Sequence, residues 1–196
     1  MTDKDYEDAA KRLGPEIDAR LVKALAIKES KKGGFGPDGR PTIAFEGHQF
    51  RKWSHKRFDL THPDLSYRYV KSPQAEGYWR PKWVHNNADH ATAWRTLTRA
   101  MELDRTAALL STSWGVFQVM GFNYDMLGFK DVETMVEFAK QGERQQLELF
   151  TRFCKTRKGL VQAMQSKDFA EIGNLYNGGS VPSYGPGLKK IYEDLK

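Results

Sequence analysis

From Asp89 to the C-terminus the apolar side chains recur at three- and four-residue spacing with almost no break, which commits most of the chain to helices. Trp94, Leu97 and Met101 form one stripe with Thr98, and a second helix beginning near Asp104 carries Ala107, Ala108 and Leu110. Four more stripes follow: Val132, Met135, Val136 and Ala139; Leu147, Phe150, Phe153 and Cys154; Phe169, Ile172, Leu175 and Tyr176; Leu188, Ile191, Tyr192 and Leu195. Each must be buried against a neighbour, so the helices have to pack around a shared interior. Cys154 is the single cysteine, so neither an intrachain disulfide nor a cysteine-based zinc cluster can replace that packing.

The N-terminal part is mixed. A short helix is expected over residues 3–12. Gly14-Pro15-Glu16 then sets Pro at a first helical position, and Ile17, Leu21, Val22, Leu25 and Ala26 continue at helical spacing. That helix is expected to stop near Lys31-Lys32-Gly33-Gly34, where cations suit the dipole and glycine suits the cap. Beyond it the period changes. Gly36-Pro37-Asp38-Gly39 has turn chemistry, and residues 41–46 read as a short strand with Phe35 starting the opposite arm of a small hairpin. Residues 47–88 are rich in His, Trp, Tyr, Arg and Pro; they predict a short helix over 49–56 and no regular structure over 61–83. The expected fold is α+β, mainly α-helical, with one small β-hairpin after the helix that ends at Glu29. It is read as one domain over 1–196, with 36–88 as a hairpin and irregular lobe.

A formal net charge of +6 favours polyanionic partners, but the basic residues are spread along the chain without a nucleic-acid-binding motif, so no nucleic acid is expected. No run reaches the roughly 18 apolar residues of a membrane span, and the acidic, polar start is unlike a signal peptide. His48, His55 and His62 recur every seven residues, not at the four-residue spacing of a metal-binding helix. Neither a metal nor a cofactor is expected. Asp104, Ser111 and a histidine do not make a hydrolase triad without the glycine pattern of a nucleophile elbow.

Glu29 is the carboxylate out of place. It lies four residues after Leu25 and seven after Val22, so it extends the apolar stripe, while Lys23, Lys28, Lys31 and Lys32 carry the exposed charge. The negative end of the helix dipole and partial burial both favour its protonated form. A carboxylic acid still protonated near neutral pH is what cleavage of a glycosidic bond requires. The spacing equally admits a helix-end cap or an ion pair with Arg40.

Five further segments carry a resemblance. Ile27-Lys28-Glu29-Ser30 precedes Gly33-Gly34-Phe35 and the run Gly39-Arg40-Pro41-Thr42-Ile43-Ala44-Phe45-Glu46-Gly47-His48-Gln49-Phe50. Later come Ser113-Trp114-Gly115-Val116-Phe117-Gln118-Val119-Met120-Gly121 and Tyr176-Asn177-Gly178. In this order they resemble the phage N-acetylmuramidase family over about residues 17 to 192. The resemblance implies a lysozyme-like fold and peptidoglycan as substrate. It also implies hydrolysis between N-acetylmuramic acid and N-acetylglucosamine, with Glu29 as the catalytic acid. The chain would then be an endolysin, monomeric, held in the host cytoplasm until a separate pore-former releases it to the periplasm or wall. Its basic surface would hold anionic wall or outer-membrane polymers.

The other candidate site residues have less distinctive surroundings. Gln118 is the one strongly polar side chain between Gly115 and Gly121 and suits a sugar hydroxyl or N-acetyl group, or else the local backbone. Tyr176 and Asn177 can stack on and bond to a sugar, or simply end a helix before glycine. Asp38 follows Glu29 by nine residues, the spacing in lysozymes of T-even phages, and is also what a tight turn selects before Gly39. The threonine of that pattern, six residues further on, is Ala44 here, leaving Thr42 or Thr112 and Ser113 to substitute. Glu46 is the rival second carboxylate: if Ile43 and Phe45 face the core, Ala44 and Glu46 face the other side. Two other functions fit the sequence: a lytic transglycosylase using one glutamate as acid and base, and a non-catalytic wall-binding module.

Overall fold

A computed structural model of the chain describes residues 1–29, 33–71, 78–79, 81, 83–177 and 181–195, with the backbone alone at 70, 71, 78, 79 and 177. The chain opens with α1 (Asp3–Leu13), whose start is a capping box. Asp5 N–H donates to the Thr2 hydroxyl, and Asp5 Oδ2 accepts the Thr2 N–H at 2.7 Å. The second helix, α2 (Ala19–Glu29), begins later than Pro15 predicts. Glu16 has φ +66°, so Gly14-Pro15-Glu16 turns the chain, and Asp18 starts the helix by accepting the Arg20 N–H at 2.9 Å. Leu21, Val22, Leu25 and Ala26 are buried as their spacing requires.

The expected turn at Gly36 to Gly39 is present: Phe35 bridges Pro41, and Gly36 N–H donates to Arg40 O at 2.8 Å. The strand that leaves it, β1 (Ile43–Phe45), finds its ladder elsewhere. It pairs antiparallel with β4 (Thr112–Trp114), which pairs with β5 (Val119–Met120), in the order β1-β4-β5. Between them in the chain lie α3 (Gly47–Trp53), the two-residue ladder of β2 (Val70–Lys71) with β3 (Tyr78–Trp79), and α4 (His90–Leu110). Apolar spacing places a helix start near Asp104, and α4 bends there. Asp104 leaves helical geometry (φ −159°, ψ 97°), and its carboxylate accepts the Ala107 N–H at 2.9 Å, capping the second half.

A short 3₁₀ turn at Gly121–Asn123 leads to α5 (Val132–Lys140), α6 (Glu143–Thr156), α7 (Leu160–Gln165), α8 (Phe169–Asn177) and α9 (Tyr184–Asp194). One core joins sheet and helices, with Phe45, Phe50, Leu97, Trp114, Leu147 and Phe150 fully buried; Phe117 stacks on Phe150 at 4.3 Å. Cys154 is buried in it. At the far end α9 packs on both α2 and α8. It comes so near α8 that a Cβ on Gly185 would stand 2.4 Å from Phe169 O, closer than real contacts allow. Among the described residues no helix is long and apolar enough to cross a membrane.

Candidate active site

Glu29 ends α2 half-buried, in a cleft of about 210 Å³. The other lining includes Phe117, Gln118, Met120, Phe122, Phe153, Arg157 and Tyr176, and no second carboxylate among the described residues. Across from the helix end, the hydroxyl of Tyr184 donates to Glu29 Oε1 at 2.5 Å. Sequence spacing did not expose Tyr184. It is buried at the start of α9, placed over α2 by the close approach at Gly185. Burial, and then the Glu29 charge, push its hydroxyl well above the usual phenol range, so it remains a donor. Lys28 Nζ lies over the other side of its ring, 4.6 Å from the centre.

The β4–β5 turn forms the opposite wall. Gly115 has φ +73°, and a Cβ there would run into the Gln146 side chain. Gln146 is buried and fastens the turn: its Oε1 accepts the Val116 N–H at 2.9 Å, and its Nε2 donates to Gly34 O and Ala139 O. Gln118 takes the left-handed region too (φ +48°), which is uncommon for a residue with a side chain. Its Nε2 donates to Gly115 O at 2.8 Å and its Oε1 accepts from the Ser113 hydroxyl at 2.8 Å. Gln118 therefore reaches the cleft wall with its amide already bonded to the turn. Ser113 supports it from behind, and Thr112 is fully buried with its hydroxyl on Ala108 O.

Tyr176 lines the cleft at the end of α8, edge-on to Phe150 and Phe153. Burial, then the Glu29 charge, hold its hydroxyl well above the ordinary range. Asn177 closes α8, but its side chain lies outside the described residues, as do Ser30 and Gly178. The aromatic floor continues past Phe122 to Trp53, ring centres 6.2 Å apart, with Lys52 Nζ over the indole.

The two candidate second carboxylates have different surroundings. Asp38 is exposed on its turn, where Arg40 Nε and Nη2 donate to Oδ2 at 2.8 and 2.6 Å, and Arg40 N–H and His90 Nε2 meet Oδ1. The Arg40 side-chain bonds above all hold its carboxyl far below the usual carboxylate range. Arg40, which the sequence offered as a partner for Glu29, thus pairs with Asp38 and lies over Trp94. Glu46 follows β1. Its Oε2 accepts from the Tyr69 hydroxyl at 3.2 Å and faces His48 Nδ1 at 3.5 Å, and the His48 ring stacks on Tyr69. Burial holds His48 below the ordinary histidine range, which favours the neutral ring. Opposite partners Ala44, Ser113 and Met120 form one row across the sheet, and Met120 and the Ser113-bound Gln118 line the cleft. Ile43 and Phe45 are buried on the other face, so alternation puts Glu46 on the side of that row.

A mostly helical fold whose small antiparallel sheet faces a helix-terminal glutamate across a groove is that of the lysozyme-like proteins. The family model of the N-acetylmuramidases matches residues 18–196, and the chain belongs to that family. Among solved structures, the Burkholderia AP3 phage endolysin is similar, with 33% identity, 99% of this chain and 71% of that chain covered, and a TM-score of 0.81. No curated protein matches.

Proposed function

We propose that the chain is a peptidoglycan hydrolase that cleaves the β-1,4 bond between N-acetylmuramic acid and N-acetylglucosamine, Glu29 giving its proton to the leaving oxygen. The observation that carries this reading is Glu29 itself, half-buried in the cleft with one oxygen fixed by Tyr184. As a neutral phenol, Tyr184 steadies the carboxylate that remains once the proton has gone. Glu46, on the sheet face that borders the cleft, is the carboxylate assigned to the developing positive charge or the attacking water. Asp38, bonded on both oxygens, holds its turn instead. Gln118 and Tyr176, with Asn177 beside it, form the sugar-contacting wall, backed by Ser113 and Thr112. The likeness to a phage endolysin supports a role in lysis of the host from within.

The test is mass spectrometry of the fragments released from purified sacculi. Wild type is expected to leave reducing muramic ends, and Glu29→Gln to release them about 100-fold more slowly or worse. A Glu29→Gln variant working at the normal rate would end the proposal. A lytic transglycosylase is the second reading, favoured by the single carboxylate among the described lining residues. It requires 1,6-anhydro ends instead. A wall-binding module would release no fragments at all.

A further inference from the structure

Most described arginines lie on a carboxylate of the protein itself: Arg12 on Glu148, Arg51 on Asp59, Arg99 on Asp64, Arg144 on Asp5. Arg157 does not. It follows the last turn of α6 in extended geometry (φ −86°, ψ 107°), and it lines the same cleft as Glu29. Among the described residues no carboxylate stands within ion-pair distance of its guanidinium, and no side chain or carbonyl accepts its N–H groups. The exposed side chain rests on Phe153, with the guanidinium carbon 4.6 Å from the centre of the ring. Stacking of that kind orients the plane of the fork and leaves the N–H donors for something else. Lys155 and Lys158 are exposed on either side, so the field at this mouth of the cleft is positive.

A glycan made of N-acetylglucosamine alone has nothing for such a fork. A muramic glycan carries a carboxylate, either on its lactyl ether or on the peptide attached there, and a planar guanidinium binds a carboxylate through two parallel hydrogen bonds. We propose that Arg157 is a specificity-determining residue that binds a carboxylate of the glycan strand, so that the cleft selects acidic muramic chains over neutral ones. The assignment rests on the hydrolase reading above and adds to it the feature of the substrate that is recognised. Glu29 breaks the bond; Arg157 decides which strand is held for breaking.

The experiment compares wild type, Arg157→Gln and Arg157→Lys on four substrates. These are intact sacculi, glycan stripped of peptides so that lactyl carboxylates are free, and both again after carbodiimide coupling to a neutral amine. On an unmodified substrate Arg157→Gln should raise KM about tenfold, the scale of one charge-assisted pair, and leave kcat within about twofold. Arg157→Lys should fall between, because a lysine keeps the charge without the fork. Amide coupling should erase the KM difference between wild type and Arg157→Gln, the variant losing only the general electrostatic hold that both proteins share. An effect confined to intact sacculi assigns the peptide carboxylate; one confined to stripped glycan assigns the lactyl group. Equal sensitivity of wild type and Arg157→Gln to coupling, an unchanged KM, or a loss in kcat alone would overturn the assignment while leaving the hydrolase standing. Wild type that releases no fragments from any substrate fails the hydrolase reading itself and takes this one with it.

Discussion

Tyr184 reaches Glu29 with a single hydroxyl, so Tyr184→Phe removes the hydrogen bond and keeps the ring beneath Lys28. The bond favours the ionised acid. Without it Glu29 should hold its proton to higher pH, and the alkaline limb of kcat against pH is expected to move up. A limb that stays put or moves down would mean that the hydroxyl does not touch the acid in the working enzyme. Glu46→Gln and Asp38→Asn divide the other two carboxylates. The first should cut kcat about 100-fold with little change in Tm; the second should leave kcat close to normal and lower Tm slightly at pH 7. The sign at Asp38 follows from its depressed ionisation: what it adds to stability is present above about pH 4 and disappears as pH falls further, so the Tm difference should vanish in acid. If Asp38→Asn abolished turnover at unchanged Tm, the two roles would have to be exchanged. Glu29 was visible in the sequence because a charged residue interrupts an apolar stripe. Tyr184 was not, because Tyr184-Gly185-Pro186-Gly187 reads as a turn and only the packing of α9 makes it a helix start.

Helices announced themselves and strands did not. The stripes of α2, α4, α5, α6, α8 and α9 are long enough for a 3.6-residue period to emerge, and their residues are buried accordingly. In contrast, β4 has three residues and β5 two, and the Ser113 hydroxyl meets Ala44 O from 69 residues away, so no local pattern could expose that pairing. The turn and its bridge from Phe35 to Pro41 were legible, but nothing local showed that the strand leaving them runs on into a ladder with β4. At the level of elements the α8–α9 contact is the sharpest test. Gly185→Ala adds a methyl against Phe169 O, and α9 has to shift to accept it. A loss of about 1–3 kcal/mol is expected in denaturant melts. Because the shift carries Tyr184 with it, kcat should drop in the surviving folded enzyme. Unaltered kcat would show that α9 can move without disturbing the acid.

Over the whole molecule the surplus of positive charge adds a binding component that geometry alone does not predict. Pelleting of the Glu29→Gln variant with sacculi should weaken several-fold between about 0.05 and 0.5 M salt, as screening shortens the reach of the lysines and arginines. Retention that ignores salt would argue against an electrostatic hold on the wall. The general architecture followed from periodicity and from the family motifs, whereas the cleft did not, because it is assembled from segments near Glu29, Gln118, Arg157 and Tyr176 that meet only after packing. That assembly has a bearing on timing during synthesis. The phenol that steadies the acid sits in α9, so a ribosome that has made everything up to α8 has made a proton donor without its brace. Copies clipped between α8 and α9 lose the packing of α9 on α2 and α8 as well as the phenol, and should be harmless to the cell that makes them.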